Sequence, residues 1–246
     1  MQRVNRLGMQ RQPGERWGGF AARVADAYGL VLLLVIATYM AFSWANYKGW
    51  GGVGIAAVAG ATACMGLVSA GARDRVVLIA VAMATVGVVL ASVSAVQGSD
   101  SSSGVAALIE ALLLLQAAAV MLGTVISERV VGFRTILGAI SVYIILGLLF
   151  TFVYAALEKL QAGYFFGQKT TNGDFVFFSI TTLTTTGYGN LVPAGQPGKM
   201  LSGLEMLIGQ IFLVTLIAGL VSLWRPGGFG RGNGEPQNAA PPDEKG

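Results

Sequence analysis

The hydrophobic positions of this chain form long uninterrupted blocks instead of recurring at amphipathic spacing. Six blocks approach the roughly 20 apolar residues that cross a lipid bilayer. They cover residues 27–45, 53–70, 76–96, 105–126, 135–157 and 200–224. The breaks between them contain Gly, Ser, Asp, Lys or Arg, as turns require. The pattern predicts an all-α membrane protein with six transmembrane helices.

The composition agrees with lipid as the main solvent, because 54% of the 246 residues are hydrophobic and 11% are charged. The chain has no His and one Cys, which excludes a Cys/His metal cluster, an intrachain disulfide and His-based acid–base catalysis. Its acidic residues are scattered without paired spacing, so we expect neither an enzyme nor a bound cofactor. Cys64 lies among small apolar residues, where packing is the expected role.

The basic residues indicate the orientation in the membrane. Twelve fall on the side of both termini: Arg3, Arg6, Arg11, Arg16, Arg23, Arg73, Arg75, Arg129, Arg134, Arg225, Arg231 and Lys245. The opposite side would hold Lys48, Lys159, Lys169 and Lys199. The positive-inside rule therefore predicts a cell membrane protein with both termini in the cytoplasm. Because the charges are spread over short loops, we expect no nucleic-acid partner.

The same pattern divides the chain into four parts. Residues 1–26 form a cytoplasmic N-terminal segment, residues 27–127 a four-helix membrane domain and residues 134–224 a second membrane domain. Residues 225–246 are rich in Gly, Pro, Asn and charge, and a stretch with so little apolar surface is expected to be a disordered tail.

The segment between the last two spans contains an apolar stretch, residues 175–183, that is too short to cross a bilayer. It is interpreted as a re-entrant helix, with Asn172 and Asp174 as candidate N-terminal caps. Gly187 marks where helix gives way to extended chain. Irregular backbone at membrane depth is tolerated where it lines an aqueous or ion-filled path, and residues 185–190 are predicted to do so.

This segment reads Thr185-Thr186-Gly187-Tyr188-Gly189, and Thr-x-Gly-Tyr-Gly after a short helix resembles the pore of the potassium channel family. The resemblance covers residues 136–221. It implies a selectivity filter in which the carbonyl oxygens of the first four of these residues replace the water shell of a permeating K⁺ ion. Because the chain has one copy of the motif, a closed ring requires a homotetramer.

Two features of the motif have separate physical reasons. Successive carbonyls can face one axis only if alternate residues adopt dihedral angles that side chains disfavour, and Gly187 and Gly189 supply that freedom. Tyr188 is expected to pack sideways against the aromatic residues of the short helix, with Phe177 and Phe178 as candidates. The C-terminal end of that helix would direct partial negative charge toward the water-filled cavity below the filter.

The last span supplies the other candidate residues. Glu205 is expected to support the filter by pairing with the hydroxyls of Thr181 and Thr182 or with a neighbouring chain. Gly209 lies where the family has a glycine that bends during gating, although close helix packing explains it equally well. The face with Gln210 is expected to line the cavity and to gate by dewetting. Its other members are Leu213, Val214, Ile217 and Val221.

The chain departs from the common family pattern at Thr186, at Asn190 and at Phe177, where Val or Ile, Asp, and Trp are usual. The Trp-to-Asp clamp outside the filter is missing, so we expect weaker restraint on the outer mouth and altered inactivation. The fourth span lacks the repeated basic residues of a voltage sensor. Its one ionisable residue, Glu110, is expected to pair with a neighbouring helix or to line a polar crevice.

The sequence therefore predicts a subunit that conducts K⁺ passively through a tetrameric pore without steep voltage gating, with K⁺ and membrane lipid as its partners. Two alternatives stay open, a poorly selective cation channel and the membrane subunit of a potassium uptake transporter.

Overall fold

A computed structural model describes residues 28–45, 49–128 and 133–223, and this part of the chain contains seven α-helices. They are α1 (Tyr28–Trp44), α2 (Trp50–Ser69), α3 (Asp74–Gln97), α4 (Asp100–Ser127), α5 (Phe133–Leu160), α6 (Asn172–Leu183) and α7 (Gln196–Leu223). The predicted segments 1–26 and 225–246 lie outside the described residues.

Five of the described helices, α2, α3, α4, α5 and α7, are long and apolar enough to cross a membrane. The first helix, α1, is a shorter apolar helix of 17 residues. The all-helical membrane architecture is thus confirmed at the level of several apolar helices, while the count of six spans stays a prediction.

Polar residues extend the helices beyond the predicted hydrophobic blocks. α4 begins at Asp100 instead of residue 105, because the Ser99 side chain accepts a hydrogen bond from the Ser102 backbone N–H at 3.4 Å. α7 begins at Gln196 instead of residue 200, and it includes Pro197, which a first helical turn tolerates. A hydropathy pattern does not register such polar first turns.

Helices α2, α3 and α4 pack against one another, and α5, α6 and α7 form a second group. α4 packs along α5 and so joins the two groups, with an ion pair of 2.7 Å between Asp100 and Lys159 at one end. α1 contacts α2 through a 2.8 Å hydrogen bond between the hydroxyls of Thr38 and Thr62. It also packs against α5 and α6, although the sequence assigns it to the first domain.

Candidate functional site

The short helix α6 begins with a local cap and a tertiary contact. The Asp174 carboxylate accepts hydrogen bonds from the Thr171 backbone N–H at 2.7 Å and from the Thr171 hydroxyl at 2.9 Å. Thr171 is therefore the N-cap, and Asn172, which the sequence offered as a cap, is already helical. The Asn172 side-chain amide instead donates to Ala45 O at 2.9 Å, which fixes the start of α6 against the end of α1.

One face of α6 is held in an aromatic cluster. Phe178 is 7% exposed, and its ring centroid lies 5.2 Å from that of Tyr154 and 5.1 Å from that of Phe166. Of the two candidates for packing against Tyr188 in the same chain, Phe177 makes the ring contact, whereas the ring contacts of Phe178 are with this aromatic cluster. Successive residues of a helix point about 100° apart, which separates Phe177 and Phe178 onto different faces.

The backbone after α6 alternates in conformation at every second residue. Thr185, Gly187 and Gly189 have φ angles of 56°, 51° and 79°, and Thr186 and Tyr188 between them are not in this left-handed region. The prediction that both glycines adopt dihedrals which side chains disfavour is confirmed. Thr185 is the one non-glycine residue among the described residues with a positive φ. Its side chain makes this left-handed conformation strained.

The backbone N–H groups at the start of this segment point back at α6. Thr186 N–H and Gly187 N–H both donate to Thr181 O, at 2.8 and 3.0 Å. Because the C=O and N–H of a trans peptide point in opposite directions, the carbonyls of Thr185 and Thr186 face away from α6. Thr181 thus supports the segment through its carbonyl oxygen, while its hydroxyl donates to Phe178 O at 3.1 Å.

The segment lies on the surface of the single chain. Residues 184–190 are all exposed, including Asn190, and the Tyr188 side chain is 71% exposed. The Tyr188 ring stacks on Phe177 with centroids 5.6 Å apart and planes 18° apart, as predicted for one of its two candidates. The Thr186 hydroxyl lies 2.9 Å from that of Thr184.

Glu205 is fully buried and is bonded to two helices at once. Its Oε2 accepts a 2.6 Å hydrogen bond from the Tyr154 hydroxyl of α5, and its Oε1 lies 2.5 Å from the Ser179 hydroxyl of α6. The Ser179 hydroxyl also lies 2.7 Å from Gly147 O on α5. Within this chain the predicted partners Thr181 and Thr182 are wrong, because the Glu205 carboxyl bonds to Tyr154 and Ser179 instead. Pairing of Glu205 with a neighbouring chain stays a prediction.

Gly209 is in close contact with the C-terminal end of α6. A Cβ atom at this position would overlap Leu183 O and lie 3.0 Å from Leu183 Cδ1. The same carbonyl oxygen accepts a hydrogen bond from the Tyr143 hydroxyl at 3.2 Å. The structure therefore shows the packing role that the sequence left open for Gly209, whereas bending during gating stays a prediction.

The predicted cavity face of α7 is mostly uncovered in the single chain. Gln210 is exposed, and Val214 and Ile217 are 57% and 58% exposed. Leu213 is only partly exposed, because it lies at the edge of this face, and the side chain of Val221 is outside the described part of the chain. Exposed apolar residues on the same face include Leu207 and Ile211.

Sequence reasoning missed three residues of the site: Thr171, Tyr154 and Ser179. The Thr-x-x-Asp spacing of residues 171–174 is a capping signature and could have identified the first. Tyr154 and Ser179 have no comparable signal, because they meet Glu205 across 51 and 26 residues of chain.

Comparison with known proteins agrees with the position of this site. Residues 139–225 match a family model described as "Ion channel", over about a third of the chain. Neither the comparison with curated proteins nor that with solved structures found a match. The match supports an ion channel family and passive ion conduction, and together with the apolar helices it indicates a membrane protein.

Proposed function

We propose that this chain is one subunit of a K⁺-selective channel whose filter is residues 185–189. The observation that carries the proposal is the alternation of φ at Thr185, Gly187 and Gly189, with the N–H groups of Thr186 and Gly187 bonded to Thr181 O. This arrangement turns the carbonyl oxygens of Thr185 and Thr186 toward the open side of the segment. Carbonyl oxygens that face a common path replace the hydration shell of K⁺.

The proposed pore contains four copies of the chain. One chain supplies one filter segment, and residues 184–190 lie exposed on its surface, so the ring of oxygens is incomplete without other copies. The exposed apolar face of α7 gives a second reason, because Val214 and Ile217 would then border a shared central cavity. An apolar cavity of this kind closes by dewetting.

Support of the filter comes from the buried groups behind α6. Glu205, Tyr154 and Ser179 connect the three helices of the pore domain, and the Phe177–Tyr188 stack restrains the outer half of the segment. Asn190 carries no charge, so the outer mouth is held more weakly than in channels with Asp there. Because selectivity depends on backbone oxygens, the proposal keeps strong K⁺ selectivity despite this difference.

Two alternative functions would rely on the same domain, the one that contains residues 185–189. A poorly selective cation channel would conduct Na⁺ and K⁺ alike, and the intact Gly187-Tyr188-Gly189 favours the selective channel over it. The membrane subunit of a potassium uptake transporter would need energy-coupled partners. Such transporters carry several filter-like segments in one chain, whereas this sequence has one.

The test is K⁺ and Na⁺ flux into liposomes containing the purified protein, for wild type and Gly187→Ala. Gly187 has a φ of 51°, so a side chain there is strained within the filter. Gly71→Ala is the matched control, because Gly71 has a φ of 68° and open space around it but lies in the α2–α3 turn. We expect K⁺-selective flux that is lost in Gly187→Ala and kept in Gly71→Ala. Equal Na⁺ and K⁺ flux in wild type would support the poorly selective channel instead.

The stoichiometry is tested separately by native mass spectrometry of the purified protein. The proposal expects a mass four times that of the 25.5 kDa chain, and a stable monomer would contradict the shared filter.

A further inference from the structure

The buried carboxyl of Glu110 in α4 has no role in the proposed pore. Glu110 is fully buried, and neither of its carboxyl oxygens has a hydrogen-bond partner among the described residues. The predicted pairing of Glu110 with a neighbouring helix is therefore wrong within that part of the chain. A buried polar group without a partner is rare in proteins and calls for a functional explanation.

The neighbouring helix leaves a space that this carboxyl fills. A Cβ atom at Gly87 of α3 would overlap Glu110 Oε1 and lie 3.4 Å from Glu110 Cδ. Any residue other than glycine at position 87 would displace the carboxyl group. Gly87 of α3 and the Glu110 carboxyl of α4 are therefore closely packed near the middle of both apolar helices.

No cation faces this carboxyl from the described residues of the packed helices. On α2 the ionisable neighbour is the Cys64 thiol, and on α3 the charged residues Asp74 and Arg75 lie about 20 Å along the axis from Gly87. The ionisable side chains described on α5 have partners of their own. Tyr143 bonds Leu183 O, Tyr154 bonds Glu205, Glu158 accepts from Phe165 N–H, and Lys159 pairs with Asp100.

An isolated carboxylate without water, cation or donor is costly in an apolar interior. The observed arrangement therefore suits the neutral acid, and the charged form requires α3 and α4 to separate enough to admit water. The proton would leave from the Glu110 carboxyl to that water. Binding and release of one proton would thus correspond to two packing arrangements of these helices.

Movement of α4 would reach the pore domain because α4 is tied to α5 at both ends. At one end Lys159 Nζ lies 2.7 Å from Asp100 Oδ1, and Gly104 leaves room for the Leu160 side chain. At the other end the Thr135 hydroxyl donates to Glu128 Oε2 at 2.9 Å. α5 in turn holds Glu205 and Ser179 through Tyr154 and Gly147.

We propose that Glu110 is a proton-binding site of the four-helix domain, and that its occupancy regulates ion flux through the pore by the packing of α4 against α3. This inference relies on the proposed function for its flux measurement, but proton binding itself is measured without conduction. It gives the first four helices a sensory role that needs no repeated basic residues.

The direct test is infrared difference spectroscopy of the reconstituted protein across a pH series. We expect a carbonyl stretch of a protonated carboxyl that disappears at high pH in wild type and is missing in Glu110→Gln. Asp74→Asn, which removes an exposed carboxyl at the start of α3, should leave that band unchanged. Spectra that are identical in wild type and Glu110→Gln would overturn the proposed site, whether or not the protein conducts K⁺.

The coupling is tested by ion flux in the same samples. A change of roughly tenfold in wild-type flux over the titration, flattened in Glu110→Gln, is the expected result. Gly87→Ala should shift the pH at which the carboxyl band and the flux change, whereas Gly123→Ala, at an open position of α4, should not. An unchanged pH dependence of flux in Glu110→Gln would overturn the regulatory part. If wild type conducts no K⁺ at any pH, the proposed channel function fails and the infrared result alone decides the proton site.

Discussion

The Tyr154 hydroxyl of α5 donates a 2.6 Å hydrogen bond to Glu205 Oε2 of α7, so one buried carboxyl joins these two apolar helices. Glu205 also contacts Ser179 of α6, the helix that precedes the proposed filter, residues 185–189. If the proposal is right, the position of that segment depends on buried groups behind it as well as on its own backbone.

Tyr154→Phe keeps the aromatic ring and removes the donor to Glu205. A buried acceptor left without its partner costs about 1–3 kcal/mol, so we expect a lower unfolding temperature and faster loss of K⁺ current during sustained opening. Thermal unfolding in detergent and bilayer recordings measure the two effects. Tyr164→Phe is the control, because Tyr164 is 51% exposed and lies outside this network. Equal behaviour of the two variants would contradict the supporting role of Tyr154.

Ser179→Ala removes the contact between Glu205 and α6 while leaving the Tyr154 bond in place. If both hydroxyls hold the same carboxyl, the effects of Ser179→Ala and Tyr154→Phe on unfolding free energy are not additive. We expect a coupling energy of about 0.5–3 kcal/mol in a double-mutant cycle. Additive losses would show that the two contacts act independently.

The backbone conformation of the proposed filter could be predicted from sequence because its requirements are local. Gly187 and Gly189 are needed wherever alternate residues turn left-handed, and the structure has both glycines in that conformation. The supporting contacts could not be predicted in the same way. Ser179 and Thr182 both lie on the buried side of α6, about one turn apart. Glu205 contacts Ser179 across 26 residues of chain, and no local pattern distinguishes these two hydroxyls.

In the fold, too, the positions of the helices could be predicted from local sequence, whereas contacts between residues distant in the chain could not. Hydrophobic blocks located every long helix to within a few residues, because a span is recognised by its own composition. The contact of Asn172 with Ala45 could not be anticipated, because it joins residues 127 positions apart. Nor does composition reveal that Gly87 makes room for Glu110.

Gly209→Ala distinguishes helix packing from a gating hinge. An added methyl group would overlap Leu183 O, and overpacking of this kind typically costs about 1–3 kcal/mol. We expect reduced thermal stability together with loss of conduction. Gly203→Ala is the control on the same helix, because nothing lies within 4 Å of its added atom. If Gly209→Ala unfolds like wild type but has an altered open probability, the hinge explanation is correct instead.

Phe177→Leu removes the ring on which Tyr188 of the proposed filter stacks. A stacked aromatic pair contributes about 0.5–1.5 kcal/mol beyond its buried area, so Tyr188 should be held more loosely. We expect faster inactivation in single-channel records while the tetramer still assembles. Inactivation at the wild-type rate would mean that the stack does not restrain the filter.

The measurement that tests the central claim most directly is the reversal potential of wild-type protein in a planar bilayer with K⁺ on one side and Na⁺ on the other. A filter of backbone oxygens at residues 185–189 predicts a potential close to the K⁺ equilibrium value, and hence a K⁺-to-Na⁺ permeability ratio far above one. A ratio near one would contradict it.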